Sequence, residues 1–113
     1  MSDVKKSGAE LISQERKRQA EKENWTSRHD DSHRDGQLAR AGIVYAQSAI
    51  NVSVCRNTLL GRNPDWPWEM EFFKPFVKSE KPQDFPAIDI KRCLVKAGAL
   101  IAAEIDRMQR MEA

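Results

Sequence analysis

The chain is short of cysteine, of net charge and of long apolar runs, and each shortage excludes something. Only two cysteines, Cys55 and Cys93, stand among its 113 residues, with no CxxC pairing. That excludes a disulfide scaffold and a cysteine-built zinc site, and leaves two reduced thiols as the expectation. Nineteen basic residues against seventeen acidic ones give a net charge of +2 and a pI of 8.6. A dedicated nucleic-acid binder concentrates its basic residues and usually has a pI above about 9, so no sequence-specific nucleic-acid partner is expected. The longest apolar run, Ala97–Ala103, falls far short of the roughly 20 residues a membrane helix needs, and no membrane partner is expected either. Residues 1–8 lack the apolar stretch of a secretory signal, which gives a cytoplasmic location as the expectation. No GxSxG elbow, Walker A loop, GxGxxG turn or HExxH pair occurs.

What is present suits one polar globular domain. Hydrophobic residues make up 40% and charged residues 32%, and the length matches a single domain over residues 1–113 with residues 1–6 as a flexible start. The segment Ser7–Asn24 predicts a charged helix with a thin apolar stripe. Trp25–Arg34 has no apolar periodicity and reads as turns and caps, with Ser32 or Asp35 capping the next helix. Leu38, Ala41, Gly42, Tyr45 and Ala49 recur at three- and four-residue steps and predict a central helix running to about Asn51. Residues 61–87 hold all five prolines and six of the eight aromatics. Proline at that density forbids a regular helix, so an ordered strap is expected, with one helical turn around Glu69–Phe73. From Ile88 to Met111, Ile90, Leu94, Ala97, Ile101, Ile105 and Met108 hold a 3.6-residue period. The fold class is all-α: a bundle of three or four helices with a long Pro/aromatic-rich loop.

Three groups of residues could carry chemistry. His29 and His33 lie four apart, so on a helix both reach one metal ion, and Asp31 and Asp35 can complete the set. The same segment, with Asp30, also reads as a solvated stretch whose side chains cap backbone groups. Arg16 and Arg18 offer guanidinium forks for phosphate, or they form a charged face paired with glutamates. Lys96 sits in an apolar helix and either snorkels to solvent or aims its ammonium into a pocket. Trp66 and Trp68, on the proline-stiffened strap with Lys74, and Trp25, next to the His/Asp cluster, either fill the core or stack on a flat ligand. Tyr45 on the central helix completes the candidate ligand-binding set.

The ordered series Glu15-Arg16-x-Arg18-Gln19, Trp25-Thr26, His29-Asp30-Asp31-x-His33, Gly36-x-Leu38, Trp66-Pro67-Trp68, Lys74-Pro75 and Leu94-Val95-Lys96-Ala97-Gly98-Ala99-Leu100-Ile101 resembles a family of small phage and prophage proteins. More distantly it is similar to the all-α MazG-like nucleoside triphosphate pyrophosphohydrolases. The resemblance implies an accessory protein in the host cytoplasm, acting on a nucleotide or a nucleotide-derived signal. MazG-like enzymes hold Mg²⁺ with an ExxE and an ExxD pair, and this chain has neither; Gln37 also stands in the Gly-x-Leu motif where the family pattern carries Glu. A neutral amide replaces a magnesium ligand poorly, which favours sequestration without turnover and without a cofactor. The alternatives are a Mg²⁺-dependent pyrophosphohydrolase using Asp30, Asp31, Asp35 and Glu104, and a module that inhibits a host protein through its aromatic strap. Assembly as a homo-oligomer, by default a dimer, is expected through the small-residue surface of the last helix around Gly98 and Ala102.

Overall fold

A computed structural model describes residues 5–77 and 87–112. Five α-helices dominate these residues: α1 (Gly8–Lys22), α2 (Ser27–Asp31), α3 (Gln37–Ile50), α4 (Val52–Leu59) and α5 (Ile90–Met111). One 3₁₀ turn, Met70–Phe72, and two short strands, β1 (Phe76–Val77) and β2 (Ala87–Ile88), occupy the strap. The strands pair antiparallel with Phe76 opposite Ile88. The all-α expectation holds, and no described helix is long and apolar enough to cross a membrane. Of the expected strap, Pro82, Phe85 and Pro86 lie outside the described residues, as do residues 1–4 of the expected flexible start.

Local chemistry explains where the helices begin. Ser7 caps α1 through a reciprocal pair: its hydroxyl accepts from the Glu10 N–H, and the Glu10 carboxylate accepts from the Ser7 N–H. Two expectations are corrected here. The stretch after Trp25 is not all turn, because Thr26 accepts from the His29 N–H and starts a five-residue helix. Neither Ser32 nor Asp35 caps α3; Gly36 does so with a left-handed φ of 79° and no side-chain bond. Beyond α3 the chain turns at Asn51, whose side chain accepts from the Ser53 and Val54 N–H groups and starts α4.

The core forms where α5 lies between α1 and α3. Leu38, Ala41, Val44, Tyr45 and Ala49 of α3 meet Cys93, Ala97, Leu100 and Ala103 of α5, with Trp66 and Phe73 of the strap closing the end. Gly42 makes the close crossing possible. A Cβ there would lie 3.0 Å from the Ala97 carbonyl oxygen and 3.1 Å from Ile101. Gly98 faces α1, where a Cβ would fall 2.5 Å from the end of Ile12. The small-residue surface of α5 is therefore used inside the chain, which corrects its expected role between chains. Both cysteines are buried as free thiols, and burial pushes each up, Cys93 to about 11.

Candidate functional site

Four rings close on one another around the short helix α2, three from the segment Trp25–His33 and one from the strap. Asn24, with φ 58°, reverses the chain after α1, and the Trp25 N–H donates to the Gln19 carbonyl at 2.9 Å. Trp25 then stacks parallel on His29, with ring centres 5.6 Å apart and planes within 1°. His29 meets His33 edge-on at 4.6 Å, and Trp68 leans on both Trp25 and His33 at 5.7 and 5.3 Å. Together with Pro67, Glu69 and Phe72 these rings line a cleft of about 380 Å³. Trp66 stands behind Trp68 at 5.6 Å and nearly perpendicular, and its indole N–H donates to the Glu69 carbonyl, fixing the loop. The Trp68 indole nitrogen is buried with no hydrogen-bond partner among the described residues. Native structures rarely leave such a donor unmatched.

Hydrogen bonds behind the cleft assign the histidine protons. His29 Nδ1 lies 3.2 Å from the Asp30 carboxylate, and Asp30 is 1% exposed. In the neutral tautomer that gives Nδ1–H to this carboxylate, His29 Nε2 accepts from His33 Nε2–H at 3.3 Å. Burial and the neighbouring His29 lower the pKa of His33, which keeps that ring neutral near pH 7. Arg16 holds the far side of Asp30 at 3.4 Å and reaches Asp106 on α5 at 3.0 Å. Arg110 grips Asp31 at 2.7 Å. These guanidinium pairs tie α1 and α5 to the base of α2.

The other residues singled out by sequence lie elsewhere. Arg18 makes two bonds to the Glu15 carboxylate, at 2.8 and 2.7 Å, and one to Glu23 at 3.3 Å. Burial alone would raise the Glu15 pKa, but Arg18 and Lys96 bring it below the ordinary value. The buried Lys96 ammonium donates to the Lys74 carbonyl at 2.8 Å and lies 5.3 Å from the Tyr45 ring centre. Burial pulls its pKa down to about 8. Tyr45 donates to the Phe72 carbonyl and accepts from the Lys74 N–H, so it clamps the strap to α3. The Lys74 ammonium lies 3.7 Å from Glu23.

Of the expected ligand-binding residues, Trp25, His29, His33 and Trp68 thus share one cleft. Arg16 and Asp30 support it from behind. Arg18, Asp31, Tyr45, Trp66, Lys74 and Lys96 do not line it, which corrects the expectation of a pocket holding both rings and cations. Pro67, Glu69 and Phe72 also line it without having been among the expected residues, and their places beside Trp68 on the strap were the available signal. The expected metal set does not assemble. Asp31 turns to Arg110, and the Asp35 backbone is bound to the Gln37 side chain. Among the described residues no group of three or more His, Cys, Asp or Glu side chains could hold a metal ion. The carboxylates named for magnesium fit no better, since Asp30, Asp31 and Glu104 are each paired with an arginine. No family model, no curated protein and no solved structure matches the chain.

Proposed function

We propose that the protein is a binding module that takes the flat ring of a nucleotide-like small molecule into the Trp25–Trp68 cleft and does not turn it over. The four rings of Trp25, His29, His33 and Trp68, gathered on one cleft, carry this reading. A heteroaromatic ring entering the cleft would meet indole and imidazole faces that supply dispersion. Stacking of a base on an aromatic side chain is worth about 1–3 kcal/mol. A volume of 380 Å³ lies at the small end of ligand pockets, roughly 300–1,000 Å³, and suits a base or nucleoside better than a dinucleotide. Among the described residues no cation lines the cleft, so a phosphate group would project beyond it. Absence of turnover rests on the arginine-paired carboxylates. The phage and prophage resemblance completes the reading: an accessory protein of the host cytoplasm, working as a homo-oligomer, that sequesters a nucleotide-derived signal of host defence.

Thermal unfolding against a panel of bases, nucleosides, nucleotides and cyclic nucleotides tests it. A ligand at 100 times its dissociation constant adds about 2.7 kcal/mol of stability. Trp68→Ala removes one stacking face and should weaken binding by about 1–3 kcal/mol. Absence of any shift across the panel sinks the reading.

A further inference from the structure

The large aliphatic side chains of α5 do not enter the core. Its buried side is made of Cys93, Lys96, Leu100 and Arg107 with the small Ala97, Ala99 and Ala103. Ile90, Leu94, Ile101, Ile105 and Met108 are instead each between 41% and 55% exposed. At 100° per residue those five fall within about 60° of one another, in a row about 27 Å long. Two contacts join α3 to this row. Gly42 lies against Ile101, and Ile50 shares with Ile90 a largely apolar cavity of about 600 Å³. The exposed Ile43 and Ile50 therefore widen the row on the α3 side. This aliphatic surface comes to roughly 800 Å², about what one partner of a standard-size dimer buries.

We propose that this face pairs with the same face of a second copy, the two α5 helices running antiparallel about a two-fold axis near Ala99. The two ends of the row are complementary in that arrangement. At the Ile90 end each chain offers the cavity, walled also by Ala49, Val52, Cys55, Leu59 and Phe76. At the other end each offers Met108 and Met111, exposed and unbranched, the side-chain type that fills irregular apolar gaps. Antiparallel pairing sets Ile90 against Met108 of the second copy and Leu94 against its Ile105, with the two Ile101 side chains flanking the axis. Parallel pairing would set cavity against cavity and methionine against methionine. Such a two-fold, self-complementary contact closes on itself at two chains.

Light scattering across the micromolar range should give twice the 12.9 kDa of one chain. Ile101→Glu changes a side chain already 41% exposed, so the helical circular dichroism should stay while the dissociation constant rises at least about a hundredfold, from a charge buried without a partner. Lys17→Ala, on the exposed side of α1, should leave the dimer intact. Register is read by cross-linking in a Cys55→Ala, Cys93→Ala background, since Cys55 walls the cavity. A mixture of Ile90→Cys and Met108→Cys chains should form disulfide-linked dimers under mild oxidant, and neither variant alone should do so. The mass of one chain throughout the range, or a dimer unmoved by Ile101→Glu, overturns the proposal. Cross-linking within each variant alone overturns the antiparallel arrangement.

Discussion

The natural chain should gain stability relative to a Lys96→Met variant as pH rises from about 8 to about 10.5. Lys96 is 5% exposed, and burial is the largest influence pulling its pKa from the ordinary 10.5 to about 8. Arg92 and Arg18 pull the same way, while Glu15 and Glu23 oppose them. The folded chain therefore holds this proton less tightly than the unfolded chain. Between the two values the unfolded state carries more protons, and stability climbs with pH. Below about pH 8 the ammonium is charged in both states and its burial cost is present in full; above 10.5 that cost is gone. The gap between the two values corresponds to about 3 kcal/mol. The thiol of Cys93 and the hydroxyl of Tyr45 are pushed the other way by burial, so they erode stability at alkaline pH. Both proteins carry those groups, and although Lys96 also lowers the Cys93 thiol, the rise between pH 8 and 10.5 in the difference between them reports the lysine. Urea unfolding followed by tryptophan fluorescence, repeated at intervals from about pH 7 to about pH 10.5, measures it. A difference that stays flat or falls with pH refutes the assignment of Lys96 as a buried, charged lysine.

Three further outcomes follow from the packing. Gly42→Val should destabilise the fold by about 1–3 kcal/mol, because its branched Cβ has no room beside the Ala97 carbonyl and Ile101; chemical unfolding checks this. Asn51→Ala removes the acceptor for the Ser53 and Val54 N–H groups and should cost about 1 kcal/mol in the same assay. Arg16→Ala leaves the Asp30 carboxylate, 1% exposed, with His29 as its remaining side-chain partner. Arg16 is itself partly exposed, so the loss should be on the order of 2 kcal/mol rather than the 3–5 of a fully buried pair.

Much of the fold was legible because helices announce themselves locally. The charged, thinly striped segment from Ser7 marked α1, the 3.6-residue period marked α3 and α5, and the prolines marked the strap. The five-residue α2 was not legible, since its start rests on Thr26 alone and it buries only Asp30. The period in α5 identified an apolar stripe without saying what covers it. Close approach to α3 selects alanines for the buried side, while Lys96 and Arg107 bury their stems, so the bulky isoleucines fall outside. Within the site, Trp25 and Trp68 were legible as stacking groups, whereas His29 and His33 read as metal ligands or caps and their part in the ring cluster was not legible. The fate of the cations was not, because Arg16 meets Asp106 and Arg110 meets Asp31 across 90 and 79 residues of chain. Pairing at that separation leaves no mark on local spacing.

The most direct test of the cleft is mass spectrometry of the small molecules released when the purified protein is denatured. The account expects a flat heteroaromatic compound of base, nucleoside or nucleotide size, retained by the natural chain and lost from a Trp25→Ala, Trp68→Ala variant that keeps its helical circular dichroism. The same small molecules released from both proteins, or none carrying a heteroaromatic ring, would contradict it.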